Sequence, residues 1–304
     1  MVTLVNKSRR YLPPNSQHYN MKYINGLLIL FALISCNELT NESGDDNTTG
    51  SKRKLPKKMS YSYDCLKDDS SKVSDLWSKA DNIINKVVTY DVEVTDEEQM
   101  RYGDTFLLES LKKKDFIIDE NDKALNSKLQ SILKDLVSQR VKPTDIQYKI
   151  YLLKDTSTIN AYTVGGKIFI TTGMIAKCKN DDQLYAIIGH EIGHNEKGHI
   201  KNSLKQIKAS REYFGEWGEA LVSIKKLLTG SFNQKNEMEA DYFGLDLTWK
   251  LGYDVCAIKT FWDDLAKGEK HEDWYAFFRT HPYSDTRSKC LTEHIRKNFE
   301  VECK

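Results

Sequence analysis

The chain has 304 residues, a length that suits one or two domains. Its 45 Lys and Arg residues balance 44 Asp and Glu residues, so the formal net charge is only +1. A charge this close to zero gives no support to a nucleic-acid partner or to a polybasic membrane-binding surface.

The N-terminal region carries the pattern of a bacterial lipoprotein signal. Met21 begins a short charged stretch, residues 26–34 are apolar, and Leu33-Ile34-Ser35-Cys36 resembles a lipobox. The apolar run is too short to cross a bilayer. An uncleaved anchor and a signal without lipidation are the alternatives.

This pattern predicts the organisation of the chain. We expect residues 1–20 to be a non-native extension, residues 21–35 to be removed, and Cys36 to become a lipidated N-terminus. Residues 36–60 are rich in Asn, Ser, Thr and Lys, which is typical of a flexible tether. Residues 61–304 then form the folded domain, which we expect on the periplasmic side of a membrane in the bacterial envelope.

The cysteines are consistent with export. Five follow Cys36, and an oxidising compartment favours disulfides, although an odd number leaves one thiol free or paired between chains. We expect disulfides among Cys178, Cys256, Cys290 and Cys303, without assigning the partners. Cys65 is not part of this expected set.

A strand-like run lies in the middle of the chain. Lys167, Ile168, Phe169 and Ile170 alternate as in a sheet edge. An extended substrate could add to such an edge through backbone hydrogen bonds.

The next predicted element is a helix over residues 181–200 with the motif His-Glu-x-x-His near its middle. Asn180 is its cap, and His190 and His194 are four residues apart on one face, where both imidazoles can bind one metal ion. Glu191 can act as the base that polarises the attacking water. Gly189 and Gly193 weaken a helix, and close approach of a packed neighbour or the metal would account for them. The alternative is a core helix with two incidental histidines.

A candidate for the third metal ligand lies further downstream. The intervening residues 200–229 form an amphipathic stretch, which we interpret as a lid or wall over the cleft. A helix over residues 237–250 places Glu237 and Asp241 on one face. Glu237 could reach the metal, Asp241 could accept a hydrogen bond from a ligand histidine, and Glu239 faces solvent. A plain charged helix face is the alternative.

Spacing excludes the metzincin arrangement. Lys197 and Ile200 stand where that motif requires Gly and the last His. His199, five residues past His194, is off the ligand face of a continuous helix. We therefore interpret it as a helix-end residue.

Four segments together resemble metallopeptidase family forty-eight, which includes the heat-shock protease HtpX and the CAAX prenyl proteases. They are residues 160–173, residues 190–194, Glu237-x-x-Ala240-Asp241, and residues 280–287 with His281-Pro282 and Arg287. The resemblance covers about residues 96–296. It departs from the family only mildly, at Val164 before the two glycines and at Tyr283.

The resemblance implies an α+β fold, predominantly helical and zincin-like, with a small β-sheet next to the motif helix. It also implies that Glu237 is the third ligand and that His281 lies near the metal. There His281 would donate to the oxyanion, the role favoured by the rigid turn before Pro282, or occupy the open metal position. Arg287 would tie this segment to a carboxylate.

These observations predict a lipid-anchored zinc endopeptidase with one Zn²⁺ per chain and a polypeptide substrate. His190, His194 and Glu237 are the expected ligands, and Glu191 and His281 the expected catalytic residues. Substrates would be unfolded or misassembled envelope proteins. One rival is a chaperone-like assembly factor with little proteolysis, and another is a structural zinc site with four protein ligands.

Overall fold

A three-stranded mixed sheet and a surrounding set of helices make up the part of the chain that this computed structural model describes, residues 52–66, 91–214, 232–268, 275–281 and 284–303. The strands are β1 (Lys149–Leu153), β2 (Ala161–Val164) and β3 (Lys167–Thr171). The helices are α1 (Asp96–Lys113), α2 (Lys123–Ser138), α3 (Thr172–Lys177), α4 (Asp181–Glu196), α5 (His199–Phe214), α6 (Gln234–Lys250), α7 (Cys256–Gly268), α8 (Tyr275–Thr280) and α9 (Ser284–Phe299). The predicted α+β class, mostly helical with a small sheet, is confirmed.

The order of the strands is β1-β3-β2, with β1 parallel and β2 antiparallel to β3. The prediction that Lys167, Ile168, Phe169 and Ile170 form a sheet edge is therefore wrong, because β3 has a partner on each side. The alternation in this segment has a different cause. Ile168 and Ile170 face the main apolar core, whereas Phe169 lies in a second cluster with Phe106.

The helix α4 begins as predicted but ends earlier. The Asn180 side chain accepts a hydrogen bond from the Gln183 N–H at 3.0 Å and caps the helix. The helix stops at Glu196 because Gly198 has a φ of +75°, and α5 starts at His199. Almost all of α4 is buried, so the motif lies inside the protein and not on an ordinary amphipathic surface helix.

Two glycines allow α4 to touch α6 backbone to backbone. A Cβ added at Gly189 would lie 2.9 Å from the Cα of Gly244, and one at Gly193 would lie 2.8 Å from the carbonyl oxygen of Ala240. These distances leave no room for a methyl group. The close packing expected from the two glycines is thus provided by α6, the helix that carries Glu237.

The sheet is fixed to the other side of α4 by Asn195. Its amide nitrogen donates to Thr163 Oγ1 of β2 at 2.8 Å, and its oxygen accepts from the Gly166 N–H at 3.2 Å. The described part of α5 packs against α1 and the sheet through Ile200 and Leu204. Together these contacts hold β2 beside the motif.

Two disulfides, Cys65–Cys290 and Cys256–Cys303, crosslink the C-terminal region. The predicted pairing was wrong in one respect, since Cys65 is bonded and Cys178 is the free thiol among the described cysteines. Cys65 lies on a short 3-10 helix that packs on α9, whereas the Cys178 thiol, at the end of α3, donates to the Met174 carbonyl.

The start of the packed chain lies ahead of the predicted boundary at residue 61. Within residues 52–60, the Arg53 N–H donates to the Lys250 carbonyl at 3.0 Å, and the Ser60 N–H donates to Asn298 Oδ1 at 2.7 Å. The predicted extension, signal peptide and Cys36 all lie outside the described residues. Within the described ones, no helix combines the length and apolar content that crossing a bilayer requires.

Candidate metal centre

The helices α4 and α6 bring three side chains to one point. Successive turns of α4 place His190 and His194 so that their Nε2 atoms lie 2.9 Å apart. Glu237, at the start of α6, has Oε2 3.6 Å from His190 Nε2 and Oε1 3.6 Å from His194 Nε2. All three side chains are buried. The structure thus brings together the three residues predicted as metal ligands.

A fourth side chain enters the cluster from the segment after α8. His281 Nδ1 lies 3.2 Å from His190 Nε2 and 3.2 Å from Glu237 Oε2. Its Nε2 atom lies 3.3 Å from the carbonyl oxygen of Ala161 and can donate to it. One ligand atom from each of the four residues falls within 4.8 Å of the others.

Glu191 lies next to this cluster, with Oε1 3.5 Å from His281 Nε2. Burial raises the pKa of its carboxyl group above the ordinary value, against the opposing effect of His281 and His190. Glu191 Oε1 has no hydrogen-bond partner. A buried carboxylate with a raised pKa and a free oxygen is suited to take up and release a proton.

Arg287 and Asp241 support the cluster from behind. His190 Nδ1 donates to Asp241 Oδ1 at 2.8 Å, which leaves the His190 Nε2 lone pair facing the other ligands. The Arg287 guanidinium contacts both Asp241 and Glu237. Burial, the largest single effect, would raise the pKa of each carboxyl, but Arg287 and the neighbouring histidines together outweigh it, so both pKa values are lowered, that of Asp241 to about 2.

The donor set fits a metal ion of the zinc type. Two imidazole nitrogens and a carboxylate are ordinary zinc ligands, and a third imidazole, that of His281, lies within reach. Glu237 Oε1 is buried without any hydrogen-bond partner, a costly arrangement unless another group satisfies it. Burial and the neighbouring His190 and His199 lower the pKa of His194, which keeps it in the neutral, metal-binding form.

Two residues behind His194 make contacts that the sequence did not indicate. His199 begins α5 and is not among the four residues of the cluster, as interpreted, and Glu239 is partly exposed. However, His199 Nδ1 lies 3.1 Å from His194 Nδ1 and His199 Nε2 lies 3.0 Å from Glu239 Oε2. These contacts were missed because the prediction assumed one continuous helix. Because the chain turns at Gly198, His199 returns to the side of His194. Spacing within a helix carries no signal of such a turn.

One strand also lies closer to the cluster than the sequence suggested. Ala161 belongs to β2, and its carbonyl contacts His281, whereas the predicted strand β3 lies behind β2. Within the described residues, β2 has a strand partner only on the β3 side. The strand nearest the cluster is therefore β2.

Residues 123–295 match the sequence model described as Peptidase family M48. The match covers more than half of the chain, so the chain belongs to peptidase family M48, and the resemblance found in the sequence is confirmed.

Several characterised proteins are similar to it. Mitochondrial metalloendopeptidase OMA1 of Schizosaccharomyces pombe is 31% identical over 165 residues, 50% of this chain and 48% of that protein. Metalloprotease LoiP of Escherichia coli is 27% identical over 189 residues, 58% of this chain and 71% of LoiP. The beta-barrel assembly-enhancing protease of Escherichia coli is 25% identical over 210 residues, 62% of this chain and 42% of that protease. This chain thus spans about half the length of OMA1.

Proposed function

We propose that this member of peptidase family M48 is a zinc-dependent endopeptidase, with His190, His194 and Glu237 as ligands. The observation that carries the proposal is the convergence of these three buried donors beside Glu191, whose Oε1 is buried without a hydrogen-bond partner. A structural zinc site has no need for a buried carboxylate with an unsatisfied oxygen at its side.

The chemistry follows from the position of each group. When bound, zinc supplies a Lewis acid that favours ionisation of water and polarises a carbonyl. Glu191 takes the proton from the attacking water and passes it to the leaving amine, and its raised pKa brings it closer to the pH at which it must do both. Asp241 keeps the proton of His190 on Nδ1, so that Nε2 remains available as a ligand.

The substrate is an extended polypeptide that pairs with β2. The Thr171 N–H donates to the Asn160 carbonyl, so the backbone groups of alternate residues from 160 onwards bond β3. The intervening residues, Ala161 and Thr163, direct theirs away from β3. Pairing through backbone groups gives broad sequence selectivity, which suits unfolded proteins.

The position of His281 supports a closed resting form. If the ring is neutral and Nε2 donates to the Ala161 carbonyl, Nδ1 carries a lone pair that faces His190 and Glu237. A nitrogen in that state and orientation would serve as a fourth metal ligand and not as a hydrogen-bond donor. The same side chain covers the Ala161 carbonyl that an extended substrate would use, so its departure would open both places.

The cellular setting is proposed from the lipobox-like residues 33–36 and from two bacterial relatives. One of these is named as a protease that enhances β-barrel assembly, which supports misassembled envelope proteins as substrates. A chain starting at Met21 should incorporate labelled palmitate, and Cys36→Ser should not. Absence of label from the wild type would exclude the lipid anchor.

Metal-dependent hydrolysis of casein tests the activity. The purified full-length chain should cleave casein, lose activity when a chelator removes its metal, and regain it when zinc returns. Glu191→Gln is the matched control, because it keeps the ligands and removes only the base. A wild-type protein that binds unfolded casein without cutting it would instead support the chaperone-like alternative.

A further inference from the structure

We infer that His199 and Glu239 form a positioning relay behind His194, two hydrogen bonds long, that fixes the ring of this ligand for metal binding. The relay consists of the contacts His194–His199 at 3.1 Å and His199–Glu239 at 3.0 Å. This inference rests on the proposed zinc site and adds two residues that act through His194 without touching the metal.

The direction of both hydrogen bonds follows from the position of His194. Its Nε2 atom faces His190 and Glu237, so the proton of the neutral ring is on Nδ1. That N–H has His199 Nδ1 as its acceptor. His199 Nδ1 must then be unprotonated, which places its proton on Nε2, where the acceptor is the Glu239 carboxylate.

The surroundings of the relay fit this assignment. His199 is buried, so its two ring nitrogens depend on His194 and Glu239 for partners. Phe232 stacks on the His194 ring, with centroids 4.1 Å apart, and restricts its rotation.

Glu239, at the outer end of the relay, is in surroundings that favour its charged form. Lys235 Nζ lies 3.5 Å from Glu239 Oε1, the oxygen that His199 does not use. Glu239 lines a cavity of about 380 Å³ together with Tyr61, Tyr63 and Tyr242. An ammonium group and an open cavity beside the carboxylate favour its charged form, which is the better acceptor.

The two ligand histidines are therefore oriented in different ways. His190 donates directly to Asp241, whereas His194 reaches its carboxylate through a second imidazole. Partners of this kind fix the tautomer and raise ligand basicity, and their loss typically costs about 10- to 100-fold in metal affinity. We expect the relay to contribute by that factor.

Zinc affinity of the full-length chain, measured by competition with a chromophoric chelator, tests the relay. His199→Leu removes the acceptor for the His194 N–H, and Glu239→Ala removes the carboxylate at the outer end of the relay. His199→Asn places an amide oxygen near the position of Nδ1 and so keeps an acceptor for His194. His294→Leu is the matched control, because His294 is also buried and bonded to a carboxylate, Asp246, at 2.9 Å.

His199→Leu should weaken zinc binding by about 10- to 100-fold, while His199→Asn and His294→Leu stay close to the wild type. The visible spectrum of the Co²⁺-loaded protein should change in His199→Leu and not in His294→Leu. Wild-type affinity in both His199→Leu and Glu239→Ala would overturn the relay and leave the zinc site intact. If His199→Leu does not fold, the zinc affinity of Glu239→Ala alone tests the relay. A wild-type chain that binds no zinc would overturn the proposed function as well.

Discussion

Arg287 and Asp241 form a buried, bidentate ion pair next to the metal centre. Arg287 Nε donates to Asp241 Oδ2 at 2.8 Å and Nη2 donates to Oδ1 at 2.7 Å. The guanidinium lies 3.5 Å from the Trp262 ring centroid, and Nη1 reaches Glu237 Oε2 at 2.7 Å. One cation thus holds both the carboxylate that orients His190 and a proposed metal ligand.

Replacing Arg287 should strongly destabilise the protein. Arg287→Met leaves two buried carboxylates without their cation, and breaking a buried pair in this way costs about 3–5 kcal/mol. Urea denaturation of the metal-free protein measures the loss. Lys179→Met is the control, because the ion pair of Lys179 with Asp264 is exposed and should contribute at most about 1 kcal/mol. Similar losses in the two variants would contradict the role given to Arg287.

The same ion pair predicts how stability depends on pH. The pKa of Asp241 is lowered from 3.8 to about 2 in the folded protein, against burial, by Arg287 and His190. A lowered pKa adds stability that is fully present above pH 4 and is lost as pH falls from about 4 to 2. For a shift of this size the loss is about 2 kcal/mol.

Asp241→Asn should remove this contribution. The variant is less stable at pH 5, but its free energy of unfolding should fall by about 2 kcal/mol less than that of the wild type between pH 5 and pH 2. Denaturation curves of the metal-free proteins at both pH values give the difference. Parallel curves for the two proteins would show that the pKa of Asp241 is not lowered on folding.

The metal centre was accessible from sequence because its parts lie at fixed spacings. His190 and His194 share a face of one helix, as helix geometry alone requires. Gly189 and Gly193 indicated a close approach by the metal or by a packed neighbour, and the structure shows the neighbour. Only the family resemblance, and no local pattern, pointed to His281 near the metal.

The errors concern contacts that local patterns do not encode. The alternation in β3 was taken for an edge because a strand with a different apolar cluster on each face also alternates in sequence. The turn at Gly198 reverses the side on which His199 lies. The pairing of Cys65 with Cys290 joins residues 225 positions apart, and sequence spacing cannot select such a pair.

Metal content should depend on the proposed ligands. The wild-type chain should hold one zinc, and His190→Ala or Glu237→Ala should release it, because either change removes one of the three ligands that still hold the metal when His281 departs. Elemental analysis after dialysis gives the ratio of metal to protein. His294→Leu, which alters a buried histidine away from the cluster, should keep one equivalent. Retention of zinc by both ligand variants would refute the assignment.

Glu191→Gln should separate metal binding from catalysis. The amide is nearly isosteric, so zinc and fold should be kept, but it cannot take up a proton. General acid–base catalysis is worth about 100- to 10,000-fold, and the rate of peptide cleavage should fall by at least this factor. Near-normal cleavage by a zinc-loaded variant would mean that another group activates the water.

The last prediction concerns His281. In the observed geometry its Nδ1 atom faces the cluster while Nε2 is directed at the Ala161 carbonyl, so we expect a cap on the metal and not an oxyanion donor. His281→Ala should then raise basal cleavage of casein, because both the metal position and the edge of β2 become free, while zinc content stays at one. An oxyanion donor would behave in the opposite way, since its loss lowers kcat by about 100- to 1,000-fold. Thr280→Ala is the control for a change in the same segment, because its hydroxyl bonds the Phe277 carbonyl and the Asn160 side chain. Unchanged kcat and KM in His281→Ala would place this residue outside the reaction altogether.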